Sequence, residues 1–305
     1  MNSLPVAIVE QIVYSLPCGL LKESLDLLSP DPIWHPTYDW AANQRARLRV
    51  TLYLPGPEGA AFFYKLEKND QQHKSWTLFP LADFLKYPDE YVLESVCIAG
   101  QPCGREFKRK HHIRVDVDDR DSVPTALQLL LGRPFAVGPH STLKLSCLDS
   151  SFRHVAQITR LIRREFQILS IDDVFGHPFV IESILTGLLK SASLRKLAIT
   201  SADCGDNLTK LVQDLVFQPK VREVTINGDT IDFQLGFFRA VFKHWQSLRE
   251  FRGRVSISVP SSISEYAEIK TKGRRQLRKT AHFHFSFRDT HRYGFKQQRV
   301  DIQYT

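Results

Sequence analysis

The sequence predicts an α/β fold: a helical hairpin at the N-terminus, then a short irregular solenoid of strand-helix units with β-rich caps. Three observations predict it. A pattern of the form apolar-x-x-apolar-x-apolar returns every 27 to 28 residues through the second half of the chain. The stretches between copies switch to helical period, while the flanking segments alternate apolar with polar residues as half-buried strands do. The first 28 residues carry two apolar stripes at helical spacing.

In the first stripe Ser3 is placed to cap, and Pro5 falls in the first turn, where the unpaired N–H groups make proline tolerable. Ile8, Ile12 and Leu16, flanked by Val9 and Val13, face one way; Pro17 and Gly19 stop the helix. A second helical run, Leu20 to Leu28, ends at Ser29-Pro30-Asp31-Pro32, and Ile33-Trp34 closes the unit. Such stripes serve equally for packing on the rest of the same chain.

The texture then changes. Arg45 to Leu54 alternates, as does Ala60 to Leu66, with Pro55-Gly56-Pro57 between them, which is a hairpin signal with a longer turn. Tyr91 to Ile98 and Phe107 to Val117 are further strand candidates.

Four clear copies of the repeat follow: Phe166 to Ile171, Leu194 to Ile199, Val221 to Ile226, and one beginning at Leu248-Arg-Glu-Phe251. Fainter copies end in Leu143-Lys-Leu145 and Val115-Asp-Val117. The helical stripes between copies are Val155, Ile158, Leu161 and Ile162; Val180 to Leu189; Leu208 to Val216; and Phe237 to Trp245. One strand-helix unit cannot bury its own stripe, but stacked units share a continuous core. Flat βαβ layers without curvature are the alternative architecture at this level.

Strand geometry also sorts the side chains. With the second and third apolar residues of each copy inward, the outward set is Ser170 and Asp172, then Lys196, Ala198 and Thr200, then Glu223, Thr225 and Asn227, then Glu250 and Arg252. After the repeats, Ala281 to Phe287 alternates strictly, and Val300 to Tyr304 is its expected pairing partner.

Composition narrows the function classes. The charged fraction of 24% and hydrophobic fraction of 43% are those of a globular chain. No window approaches the ~20 apolar residues of a membrane span, and MNSLPVAIVEQ lacks the basic start of a signal peptide. The five cysteines, odd in number and scattered, read as free thiols in a reducing compartment. Between Lys270 and Arg299 ten Lys and Arg stand against Asp289 alone, so this segment carries +9 of a net +8 and the other residues sum to −1. A segment of that kind is either a solvated tail or a surface for an acidic partner.

Catalytic and metal signatures are missing from the sequence. There is no glycine-rich phosphate loop, nucleophile elbow, kinase set or H-E-x-x-H. Cys97, Cys103, His111 and His112 do not match the spacing of structural zinc sites. His282 and His284 read as the solvent face of a strand, and Asp172, Asp173 and His177 have no nucleophile beside them. No enzyme activity, cofactor or metal is expected. Arg292-Tyr293 and Phe295-Lys296 interleave cations with aromatics as single-strand binders do, but no nucleic-acid fingerprint accompanies them, which makes nucleic acid an unlikely partner.

The N-terminal segment resembles the F-box on Leu4, Pro5, Ile8, Glu10, Ile12, Leu16 and Trp34, with Leu20, Leu21 and Leu25 where that family's second helix packs. It departs from the family at Ser29 to Pro32, where a basic, Trp-bearing segment is usual. The later units resemble the longer leucine-rich repeats that follow many F-boxes, without the Asn that ends each strand segment in that family; Val174, Ala202, Asp229 and Ser256 stand there instead. The combination is similar to the lineage-expanded F-box-like proteins of nematodes. The resemblance implies a substrate-recognition subunit of a cullin-RING (SCF-type) ubiquitin ligase, cytoplasmic or nuclear and monomeric within its complex. It implies that Leu4, Pro5, Ile8, Ile12, Leu16 and Leu20 contact a Skp-type adaptor. A protein substrate would then meet Asp172, Lys196, Thr200, Glu223, Thr225, Asn227, Glu250 and Arg252. The other class of reading is a repeat scaffold that binds RNA or an acidic partner through the basic C-terminal segment.

The expected organisation is an F-box-like segment over 1–42, a β-rich cap over 43–118, strand-helix repeats over 119–259 and a basic β cap over 260–305.

Overall fold

A computed structural model describes residues 45–56, 61–70, 75–100, 112–116, 123–136, 140–202, 207–218, 220–227, 237, 240, 243–244, 253–260, 283–292 and 295–304. The chain divides into two compact units, Met1–Gln167 and Ile168–Thr305.

In the first unit, described residues form β1 (Ala46–Leu54), β2 (Ala61–Asp70), β3 (Ser75–Leu78), α1 (Leu81–Lys86), β4 (Tyr91–Gly100), β5 (Ile113–Asp116), α2 (Thr125–Leu131), β6 (Thr142–Leu148) and α3 (Val155–Leu161). The strand order is β6-β4-β1-β2-β3, with β5 also on β2. β1, β4 and β6 run parallel, while β2 is antiparallel to β1, β3 and β5. Alternation in β1 and β2 drives the outcome. Leu48, Val50, Leu52 and Leu54 with Phe62, Tyr64 and Leu66 are buried, and the residues between them stay half-buried. Leu143 and Leu145 of β6, Phe84 of α1, Leu127, Leu130 and Leu131 of α2, and Val155 and Ile158 of α3 complete the core. Each fully buried side chain of this size contributes roughly 1.5–3 kcal/mol. Phe135 and Phe166 meet edge to face at 5.3 Å.

The second unit contains β7 (Ile168–Val174), α4 (Pro178–Ser191), β8 (Lys196–Ala202), α5 (Leu208–Val216), β9 (Glu223–Asn227), β10 (Gly253–Pro260), β11 (Phe283–Arg292) and β12 (Phe295–Tyr304). Its order is β11-β12-β10-β9-β8-β7. β7, β8, β9 and β10 are parallel, and β12 is antiparallel to both β10 and β11. Leu169, Ile171, Val174, Leu197, Ile199, Ala202, Val224 and Ile226 are buried. They share the core with Val180, Ile181, Ile184, Leu185 and Leu188 of α4 and with Leu208, Val212, Leu215 and Val216 of α5. The two helices lie against each other.

The expected fold class, an F-box-like hairpin followed by a leucine-rich-repeat-like solenoid, is corrected by this architecture. Described residues form mixed, strand-dominated sheets; the hairpin segment itself falls outside them. The period misled for a physical reason. β7, β8 and β9 begin at 168, 196 and 223, and that interval is simply the length of one strand with its following helix, the step of a βαβ unit. It does not distinguish a curved solenoid from a parallel ladder set into a mixed sheet. The fainter copies belong elsewhere: Leu143 and Leu145 lie in β6 beside β4, and Val115 lies in β5, antiparallel to β2. The partner of β9 is Gly253–Pro260, with Val255 opposite Val224, so the copy at Leu248 to Phe251 is not the segment that pairs with β9. Strict alternation of Val255, Ile257 and Val259 is a stronger strand signal than the four-residue match. The two C-terminal segments do pair as expected, Phe285 with Ile302 and Phe287 with Val300.

Candidate binding face

The polar face of the parallel ladder in the second unit is built by register. Side chains alternate along each strand, so the residues between the buried positions of β7, β8 and β9 point away from α4 and α5. Lys196 pairs with Ile168 and Glu223; Ala198 with Ser170 and Thr225; Thr200 with Asp172 and Asn227. Arg254 and Ser256 of β10 occupy the positions opposite Glu223 and Thr225. Neighbouring strands lie about 4.8 Å apart, so these sets form rows across the sheet. A charged row at Lys196 and Glu223 and a polar row at Asp172 and Thr200 flank a row of small residues, Ser170, Ala198 and Thr225, with Arg254, Ser256 and Asn227 at the matching register positions of their strands.

Lys196 Nζ lies 3.0 Å from Glu223 Oε1. Ser170, Asp172, Lys196, Ala198, Thr200, Glu223 and Thr225 are half-buried rather than covered.

Of the site residues expected from the sequence, the structure therefore brings Asp172, Lys196, Thr200, Glu223 and Thr225 onto one face, with Asn227 at the matching register position of β9. Glu250 and Arg252 lie outside the described residues, as do Leu4, Pro5, Ile8, Ile12, Leu16 and Leu20.

A second polar cluster, in the first unit, had no sequence signal beyond the alternating arginines of β1. The register between β1 and β4 shifts after Leu48, so Leu48 pairs with Leu93 while Arg49 pairs with Ser95, leaving Glu94 as the extra residue of a bulge. Its carboxylate, 10% exposed, accepts from Arg49 Nη2 at 2.9 Å and Arg47 Nη1 at 3.4 Å. The Arg49 guanidinium in turn lies 3.7 Å from the centre of the Trp76 ring. A buried carboxylate held by two guanidinium groups favours this register, since a slip of β1 against β4 would leave it buried without them.

Cys97 lies on β4 opposite Lys144 of β6. Burial pushes its thiol up, against the opposing pull of Lys144 and a hydrogen bond with Ser146, so the reactive thiolate is disfavoured. Burial likewise raises the Glu165 carboxyl, with Arg163 opposing. Among the described residues no three His, Cys, Asp or Glu are gathered to hold a metal ion. Of the residues drawn into the rejected zinc arrangement, His112 meets the Tyr53 ring edge-on at 5.0 Å, and Cys103 and His111 lie outside the described residues. No helix among the described residues is long and apolar enough to cross a membrane.

No family model, no curated protein and no solved structure matches this chain.

Proposed function

We propose that the chain is a non-catalytic substrate receptor of a cullin-RING ubiquitin ligase, working in the cytoplasm or nucleus. Its N-terminal segment binds a Skp-type adaptor through Leu4, Pro5, Ile8, Ile12, Leu16 and Leu20, and the polar face of its parallel ladder receives a protein substrate. The adaptor half is supported by the Leu-Pro opening and the spaced Ile, Glu and Leu that resemble an F-box. The capture half is supported by one observation above the others: three neighbouring strands present Asp172, Lys196, Thr200, Glu223 and Thr225 in register on a face whose opposite side is core.

Co-expression with a Skp-type adaptor, followed by size-exclusion chromatography, tests the reading. The pair is expected to co-elute, and Pro5→Ala with Ile12→Ala is expected to abolish co-elution while cooperative unfolding of the chain persists. Large-to-small changes at an interface centre commonly cost about 2 kcal/mol or more. A double variant that no longer unfolds cooperatively would show these residues to be internal core and end the adaptor reading.

A second reading has its own observation. In the β11–β12 hairpin Arg288 is the register partner of Arg299. Like charges set directly opposite are unfavourable unless an anion relieves them, which favours RNA or an acidic protein at that hairpin. Steep loss of such binding with added salt would support RNA.

A further inference from the structure

Two apolar rows cross the sheet of the second unit, each residue the register partner of the next. One starts at Leu197 and reaches Phe285 through Val224, Val255 and Ile302. The other starts at Ile199 and reaches Phe287 through Ile226, Ile257 and Val300. Register partners share one face of a sheet, and the β8 and β9 members of both rows are buried. Both rows stop at β11, because the strand order ends there.

No described strand lies beyond β11, so one side of it has no ladder partner among the described residues. Natural edge strands are kept short, bulged or interrupted by proline, since a long flat edge pairs with other chains. The first unit follows that rule with β3, which is four residues long. β11 does not follow it. Its ten residues, FHFSFRDTHR, contain no proline and pair with β12 consecutively from Phe283 to Arg292, with no register shift. What restricts this edge is charge. Arg288 stands opposite Arg299, and between Lys270 and Arg299 ten Lys and Arg are set against Asp289 alone. Such a balance opposes a second copy of the same edge and favours an acidic strand.

We propose that the outer edge of β11 takes an added strand from an acidic segment of a partner protein, one in which Glu or Asp alternates with aliphatic residues. The inference rests on the acidic-partner reading of the β11–β12 hairpin and chooses between its two occupants. Main-chain hydrogen bonds to the open edge supply affinity, and alternate side chains supply specificity. The aliphatic residues prolong the two apolar rows past Phe285 and Phe287, and a carboxylate opposite Arg288 relieves its pairing with Arg299. RNA matches the charge but leaves the edge N–H and C=O groups without the ladder that a peptide backbone completes.

The test uses the full chain and three fluorescein-labelled probes, with binding read by anisotropy. They are an octapeptide alternating valine with glutamate, the same peptide methylated on every backbone nitrogen, and a single-stranded RNA octamer. The unmodified peptide is expected to bind. Methylation keeps its charge but removes its N–H donors, and should weaken binding about tenfold or more. Arg288→Glu sets opposite charges across the hairpin, which favours the fold, and should weaken the unmodified peptide about fivefold. Equal binding of the two peptides would overturn strand addition and leave the acidic-partner reading in place. Unchanged binding to Arg288→Glu would put the peptide elsewhere and also overturn the proposal. Binding of the RNA alone would overturn it in favour of RNA, and binding of none of the three would end both readings. Self-association of the parent chain that the unmodified peptide reverses would overturn it too, because the edge would then belong to a second copy.

Discussion

Lys196 and Glu223 face each other across β8 and β9 as register partners, Nζ to Oε1 3.0 Å, with the two side chains 40% and 39% exposed. At that exposure the pair contributes only ~0.2–1 kcal/mol to stability. Its importance is positional: it places one cation and one anion at fixed points beside the row of small residues.

Reversing one of these charges should therefore be felt locally. Lys196→Glu puts two carboxylates opposite each other and is expected to lower stability by about 0.5–1 kcal/mol in urea denaturation. Adding Glu223→Lys should recover most of that loss. If the double variant is no more stable than the single one, the two side chains do not interact in solution.

Gly100 ends β4 in a place where a side chain has no room. A Cβ there would run into the Cys147 carbonyl oxygen and come within 2.6 Å of the Phe152 ring. Because one obstacle is backbone, rotamer changes cannot relieve it. Gly100→Ala is expected to cost about 1–3 kcal/mol, read as a lower urea midpoint with an unchanged slope. A variant as stable as the parent would show that the end of β4 and the Cys147 end of β6 separate easily.

Glu165 supplies a pH-dependent term of known sign. Burial raises its carboxyl in the folded chain, so the folded state holds the proton to higher pH than the unfolded one, whose value is about 4.3. Its contribution to stability is thus present below ~4.3 and is lost as pH rises through the folded value. Glu165→Gln should leave stability nearly unchanged under acid conditions and raise it at neutral pH, measured as denaturation midpoints across pH 4 to 8. A variant destabilised at neutral pH would instead assign Glu165 an essential ion pair with Arg163.

Much of the local structure is legible in the sequence, because alternation and helical period are properties of a segment's own side chains. Arg45 to Leu54 announces β1, and the stripe from Val180 to Leu189 announces α4. The polar face is legible for the same reason: once Leu197 and Ile199 are inward, Lys196, Ala198 and Thr200 must be outward. The Glu94 cluster is not legible, since the bulge that aims it arises from the pairing of β4 with β1 rather than from either strand alone.

By itself, then, the sequence determined the strand-helix alternation, the inward and outward sets of β7, β8 and β9, and the concentration of positive charge near the C-terminus. Those follow from period and composition, which act within a few residues. Tertiary structure alone decided that the repeats form a parallel ladder within a mixed sheet rather than a solenoid, and that Val255 rather than Phe251 sits opposite Val224. A strand's unpaired N–H and C=O groups accept several partners and directions, so which one it takes depends on the competing strands and on the core that all of them must close together.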